Sequence, residues 1–276
     1  MQAEFAANRA FLYFYAMRFI IDKDRSAEFN MAADLCLLKR RAGRAGDVTV
    51  RLYSWNRPTV SIGCMQSPDT ELDLAALTAA GAGWIRRVTG GRAVLHDGDI
   101  TYSVTFPKSL REMGGGIRET YNIIAKCLME GLGKASIKCE AHDSDGGLAG
   151  IGRQAKLPCF LAPNRDEIMV AGRKLVGSAQ KRTADGVLQH GSIPINANYR
   201  NLPMYLRIDE SEREKQAGLL KSKSCCIDEL TSGGMTFDSL AERLMNGFAS
   251  VLPFKGEVIP WSREEESQIR LGFLGL

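Results

Sequence analysis

The stretch Arg86–Asp97, R-R-V-T-G-G-R-A-V-L-H-D, sets how the rest of the chain is read. Gly83–Arg87 reads as a strand running into the Gly90–Gly91 pair, and Arg92–His96 leaves the pair as another. Two adjacent glycines between strands bring backbone close to a ligand, because no Cβ intervenes. Their N–H groups can bind an anion or a polarised carbonyl. Arg87 and Arg92 can add charge-assisted hydrogen bonds, and His96 can orient a neighbour or carry a proton. The same letters also fit a β-turn with surface arginines, since a lone G-G pair is a weak signal. Neither a G-x-x-x-x-G-K phosphate loop nor G-x-G-x-x-G is present.

Outward from this stretch, Asp97–Gly98–Asp99 predicts a hairpin joining Arg92–His96 to Ile100–Phe106. Upstream, Met17–Ile21 reads as a strand, and Ser26 caps a helix over Glu28–Arg41 with Phe29, Ala32, Ala33 and Cys36 as its buried stripe. Val48–Ser54 alternates, predicting a strand with one buried face; Thr59–Gly63 is a further strand and Leu72–Ala80 a helix. Downstream, Ile117, Tyr121, Ile124, Leu128 and Leu132 recur at helical spacing. Glu167–Val170 and Lys174–Ser178 form a hairpin turning at Ala171–Arg173, and Val187–Ile193 is another strand. Beyond Asn196 the pattern is helical. Thr236 caps the stripe Phe237, Leu240, Leu244, Phe248 and Val251, and Ser262 with Glu265 forms a capping box. Strands and helices mix without β-α-β alternation, so the fold class is α+β: a mixed β-sheet domain, helices outside, helical from about residue 197. The expected organisation is one catalytic domain over residues 17–276, with residues 1–16 a peripheral N-terminal extension.

Composition narrows the function classes. The chain has 276 residues, 45% hydrophobic and 25% charged, enough for a sizeable core without staples. A net charge of +4, without a basic tract, gives no case for nucleic-acid binding. Ala10–Ile21 is apolar but too short to span a membrane, and no cleavage site follows it. The seven cysteines are irregularly spaced with no C-x-x-C, which argues against a zinc site or disulfide framework and for a reducing cytoplasm.

Among those cysteines Cys159 stands out. It ends the long Gly-, Asp- and Lys-rich stretch Ala135–Pro158, and a strand bearing Lys174 follows. Long loops of this kind are often functional. A thiolate at neutral pH needs a cation or base nearby, and Lys174 is the candidate. A structural cysteine remains the bland alternative, as it is for Cys64, Cys225 and Cys226. Gly177–Ser178 and Gln189–Ser192 are small-residue segments that again permit close backbone approach, with His190 either structural or functional.

R-R-V-T-G-G-R-A-V-L-H-D with I-T-Y-S-V, then C-F-L-A-P, G-R-K-L-V-G-S-A-Q and V-L-Q-H-G-S-I, resembles the biotin/lipoyl protein ligase and transferase family. Within it the match is to the octanoyl-[acyl carrier protein]:protein N-octanoyltransferases of the lipoate–protein ligase-like branch. The resemblance spans roughly Met17–Leu252. It implies a mixed-sheet fold with an acyl tunnel, a nucleophile at Cys159 and a proton-handling lysine at Lys174. It also implies an acyl site lined by Arg87, Gly90, Gly91, Arg92, His96, Gly177, Ser178, His190 and Gly191, with no metal and no cofactor. The implied reaction is ping-pong. Octanoyl acyl carrier protein acylates Cys159, and a lysine of a lipoyl domain, as in glycine cleavage H protein or 2-oxoacid dehydrogenase E2, takes the acyl group. The alternative is an ATP- and Mg-dependent lipoate–protein ligase, which needs no cysteine and can carry its accessory domain on a separate chain; P-N-R-D-E at Pro163–Glu167 partly resembles the ligases' R-N-D run. The cysteine, and a chain too short for a C-terminal accessory domain, favour transfer. An idle lipoyl-domain-binding protein is the third expectation, and the presence of both Cys159 and Lys174 argues against it.

Overall fold

The structure, a computed structural model, describes residues 16–40, 48–141, 167–231 and 233–272. In chain order the first elements are β1 (Ala16–Arg25), α1 (Ala27–Arg40), β2 (Val48–Trp55) and β3 (Thr59–Ile62), then the short helices α2 (Pro68–Glu71) and α3 (Leu74–Ala79). Next come β4 (Gly83–Arg86), β5 (Val94–His96), β6 (Asp99–Pro107), α4 (Ile117–Gly133), β7 (Glu140–Ala141), β8 (Ile168–Val170), β9 (Arg173–Arg182) and β10 (Gly186–Pro194). After a 3-10 segment at Ala197–Tyr205 follow α5 (Glu210–Lys223), α6 (Ile227–Thr231), α7 (Phe237–Val251), β11 (Lys255–Val258) and α8 (Arg263–Gly272). Eight strands make one mixed sheet in the order β11-β1-β2-β6-β10-β9-β8-β7; three make a small sheet, β4-β3-β5. The α+β class holds. Among the described residues no helix is long and apolar enough to cross a membrane.

Local signals account for most element ends. Ser26 Oγ accepts from Phe29 N at 3.2 Å, opening α1 as a capping residue should. Thr236 Oγ1 does the same for Ser239 N at 3.2 Å. Ser262 and Glu265 form the capping box reciprocally, at 2.8 and 3.1 Å. Glu265 also receives Arg18 and Arg40, tying α8 to β1 and α1. Leu240, Leu244 and Phe248 of α7 pack with Ile124, Leu128 and Leu132 of α4 in the main core on one face of the large sheet.

Three features differ from the sequence expectation. Arg92–His96 and Ile100–Phe106 are not a hairpin. β6 already has β2 on one edge and β10 on the other, so β5 cannot pair with it and joins β3 in the small sheet. The chain turns the corner at Gly98, φ 75°. Second, β2 is buried on both faces: Thr49, Arg51 and Tyr53, which alternation placed outside, are each fully buried. Polar residues are tolerated there because they satisfy one another (below). Third, the helical C-terminal part contains a strand, β11, which extends the sheet parallel to β1; its residues are mostly exposed and leave no apolar alternation. Two smaller differences are the break of Leu72–Ala80 by Asp73, whose carboxylate caps α3 at Ala76 N, and the exposure of Ile117 at the first turn of α4.

Arg51 is the centre of the second buried layer. Its Nε donates to Asp22 Oδ2 at 2.7 Å, Nη1 to Asp34 Oδ1 at 3.2 Å and Nη2 to Asn30 Oδ1 at 2.6 Å. Its guanidinium lies 3.9 Å from the Tyr53 ring centroid. Removing one member of such a group strands buried charge. Arg51→Met should therefore cost about 3–5 kcal/mol in urea unfolding, far more than losing an exposed pair such as Lys23–Asp238.

Candidate active site

The two glycine-bearing strands meet side by side. β9 and β10 pair antiparallel, with Gly177 opposite Ser192, Ser178 opposite Gly191 and Ala179 opposite His190. On its other edge β10 pairs with β6, placing Gly191 opposite Tyr102. A Cβ on Gly191 would stand 2.4 Å from Gly177 O and 2.6 Å from Tyr102 Cε1, so only glycine fits. Next to this seam opens a small, partly open cleft. Met31 of α1, Tyr53 and Trp55 of β2, and Val94 of β5 form its apolar wall.

Of the residues expected at the site, Arg87, His96, Gly177, Ser178, His190 and Gly191 all line this cleft. They come from two segments far apart in the chain, Arg87–His96 and Gly177–Gly191, and the fold brings them together. Gly90, Gly91 and Arg92 do not line it. They form the loop that Arg87 braces, through Nη2 to Gly90 O at 3.2 Å and to Arg92 O at 3.0 Å. That loop packs tightly on the end of β3: a Cβ on Gly63 would fall 2.1 Å from Gly91 O. Cys159 lies outside the described residues, as do His142 and residues 163–166. Lys174, 2% exposed, opens β9 and donates to the buried Glu167, which the sequence reading did not single out. At about 3.3 Å per residue, Lys174 and Gly177 are roughly 10 Å apart along the strand.

Both cleft histidines are held by carboxylates. His190 Nδ1 is 3.1 Å from Asp34 Oδ2, and its Nε2 is 2.6 Å from Thr89 Oγ1. Asp34 takes four donors in all: His190, Arg51, Tyr53 and Ser103. Burial pushes the Asp34 carboxyl up, but these hydrogen bonds and the Arg51 charge more than offset it, so its pKa lies below the usual carboxylate value. Burial dominates at His190 and pushes it down, against the pull of Asp34. An ionised Asp34 has no proton to give, so Nδ1–H donates to it and Nε2 accepts from Thr89. On the other side His96 Nδ1 is 2.9 Å from Asp99 Oδ2 and Nε2 is 2.7 Å from Ser61 Oγ. Trp55 stacks on His96 with centroids 4.2 Å apart. Arg87 Nη1 donates to Ser61 O at 2.7 Å and Ser61 Oγ at 2.8 Å. Asp34, Arg51, Asp99, Thr89, Ser61 and Glu167 were thus missed as site residues. Two of these carried a sequence signal: Thr89, inside the quoted stretch, and Glu167, which ends P-N-R-D-E.

The arrangement is a mostly apolar cleft, with the Arg87-braced glycine loop outside its lining and a buried lysine near the start of an adjoining strand. It suits an acyl chain with a reactive carbonyl at one end. Solved structures share the fold. A bi-partite lipoate protein ligase of Thermoplasma acidophilum superposes with TM-score 0.77 at 19% identity, over 95% of this chain and 92% of that one. A lipoate-protein ligase A bound with ATP superposes with TM-score 0.73 at 20% identity, over 94% of each. The chain belongs to the lipoyl protein ligase A/B catalytic domain family, whose model matches residues 26–249. Among its relatives are the octanoyltransferases LipM of Kyrpidia tusciae, 35% identical over 90% of this chain and 93% of that protein, and of Bacillus subtilis, 33% identical over 90% of each. LipM of Moorella thermoacetica is 36% identical over 88% of each.

His190 has a measurable consequence. Its folded pKa lies below the ordinary histidine value of about 6.5, so below that pH the unfolded chain binds a proton that the fold refuses. Stability is complete above that pH and falls as the pH drops through and below it. The slope of thermal stability between about pH 7.5 and 5 should be shallower in His190→Gln than in the parent.

Proposed function

We propose that this chain transfers an octanoyl group from octanoyl acyl carrier protein to a lysine of lipoyl domains through a thioester on Cys159. Its 32–36% identity to octanoyltransferases LipM over most of the chain carries the reading. The cleft built by Arg87, His96, Gly177, Ser178, His190 and Gly191 supports it. In the first half-reaction the Cys159 thiolate attacks the thioester carbonyl. The tetrahedral intermediate collapses, the C–S bond to phosphopantetheine breaks, and the departing thiolate takes a proton. In the second, a neutral lysine amine attacks the acyl-enzyme, loses a proton, and Cys159 leaves as thiolate. Each intermediate carries an oxyanion that backbone N–H groups beside the cleft stabilise.

Lys174 is the proton handler. Its ammonium favours a Cys159 thiolate and supplies the proton that the leaving thiol needs. Glu167, donated to by Lys174, anchors it. Acceptors include glycine cleavage H protein and 2-oxoacid dehydrogenase E2. The reaction takes place in the cytoplasm, needs neither ATP nor another cofactor, and uses residues 17–276 as one catalytic unit.

Intact mass spectrometry checks the covalent step. The protein should gain one octanoyl group from octanoyl acyl carrier protein without ATP, at Cys159. Cys64→Ser should still be labelled and Cys159→Ser should not. If Cys159→Ser modifies H protein at the parent rate, the thioester route is wrong. A strict need for ATP and free lipoate would make the protein a ligase instead. Lys174→Ala should lower acylation by about 10²-fold or more. Glu167→Gln should cost less than Lys174→Ala, because the amide oxygen still accepts from the Lys174 ammonium.

A further inference from the structure

β4 closes one side of the small sheet, and among the described residues no strand pairs with its outer edge. The ladder to β3 fixes which backbone groups face outward. Gly83 N donates to Pro58 O at 2.8 Å and Arg87 N to Ile62 O at 2.9 Å, so by alternation the N–H and C=O of Trp84 and Arg86 point away from β3. An edge of this kind is a template for one more strand. Three side chains dress it. Trp84 is 39% exposed, the one aromatic among the large exposed apolar side chains of the described residues. Arg86 is exposed two residues on. A Cβ on Gly83 would stand 3.1 Å from Nη2 of the exposed Arg57, so a second guanidinium lies against the strand. Among the described residues neither guanidinium meets a carboxylate. Charge alone would guard an edge against aggregation, and an exposed Trp beside it works against that purpose. Trp and Arg together are what the centres of protein interfaces collect.

We propose that the β4 edge docks the protein that accepts the acyl group, by pairing with an extended, acidic segment of that protein beside Trp84 and Arg86. The proposal rests on the octanoyl-transfer reading for which partner is meant. A second copy of this chain is a poor occupant, because pairing β4 with itself would gather the Arg57 and Arg86 guanidiniums of both copies without a counter-charge. Position then separates the two partners of the reaction. Arg87 directly follows β4 and lines the cleft, as does Ser61 of β3, so the edge adjoins the cleft. The carrier presents its acyl group on a long phosphopantetheine arm and can dock at a distance. The acceptor reaches with only the four-carbon stem of a lysine, so its body must come close. The surface beside the cleft therefore suits the partner with the short reach. Backbone pairing sets its register, the guanidiniums select acidic residues, and Trp84 supplies the apolar contact.

The two half-reactions are read separately on the full chain. Acylation by octanoyl acyl carrier protein is followed by intact mass. Transfer from the acylated enzyme is followed against the concentration of an apo acceptor, H protein or an E2 lipoyl domain, whichever the parent octanoylates faster. In Trp84→Ala and Arg86→Glu the acceptor concentration giving half the maximal rate should rise about 10-fold or more, with acylation within about twofold of the parent. Arg86→Lys should keep most of the parental behaviour. Both side chains are exposed, so thermal unfolding of all three variants should match the parent. Adding apo acceptor to the parent should slow hydrogen exchange at the outward amides of Trp84 and Arg86. A fall in acylation with the acceptor step intact would assign the edge to the carrier and overturn the proposal. So would parental kinetics in both steps, or a dimer of the parent that Trp84→Ala dissolves. If octanoyl acyl carrier protein leaves the enzyme unlabelled, the functional reading fails by itself; protection of the Trp84 and Arg86 amides by either apo acceptor then still decides the docking.

Discussion

A carboxylate buried in the middle of the fold, Asp34, must be satisfied or it would not be charged, and satisfying it dictates much of the architecture around it. It sits on α1, so the helix has to lie across the sheet with this turn facing inward. Its four donors come from β2, β6 and β10, and each must arrive with its own side chain aimed at one point. Arg51 carries the constraint further, to Asp22 on β1, where Trp261 Nε1 also donates at 2.6 Å. The C-terminal segment before α8 is thereby tied to the same network as the cleft wall. Such a group adds little to stability compared with an apolar replacement of equal shape, but it punishes any misregister heavily, because each slipped strand would strand a buried charge.

The same constraint explains why the cleft is stiff. Two carboxylate–histidine pairs, Asp34–His190 and Asp99–His96, approach the glycine loop from different strands. One ends on Thr89; the other reaches Arg87 through Ser61 and from there the carbonyls of Gly90 and Arg92. Gly91 is a glycine at φ 97°, and Gly63 opposite it is a glycine because a Cβ there would fall 2.1 Å from Gly91 O. Glycine's freedom is then removed by its neighbours. A flexible sequence inside a rigid frame is what a site needs if its backbone is to meet a ligand at a defined place.

How much of this was legible in the sequence depended on whether a residue's role was written in its own neighbourhood. Ser26, Thr236 and the Ser262–Glu265 pair were legible because a cap is a local arrangement of residues within one turn. Arg87, His96, Gly177, Ser178, His190 and Gly191 were legible as a set only through the family resemblance, since no spacing along the chain relates β5 to β10. Arg51, Tyr53 and Asp34 were misread or passed over for a physical reason: polar residues on alternate positions of a strand, or among the polar positions of a helix, read as solvent-facing. Nothing local distinguishes a buried polar network from a wet surface, because the compensation comes from partners 17 to 156 residues away. The expected hairpin failed likewise. Asp97–Gly98–Asp99 does turn the chain, but which strands take the edges of β6 is decided by β2 and β10.

The two-step acyl transfer proposed above would make an unusual demand on this frame. In both proposed half-reactions the oxyanion forms at the same carbonyl, first with the carrier's sulfur leaving and then with Cys159's. The donors that stabilise it must therefore stay in place while one protein partner departs and another docks. A loop ordered by the substrate would lose its geometry between the steps, when only the acyl-enzyme remains. A loop ordered from behind, by groups buried under α1 and sealed from either partner, would not. That is the sense in which the charge on Asp34, which lies beneath the cleft wall, bears on the chemistry: it keeps the wall the same for two different visitors.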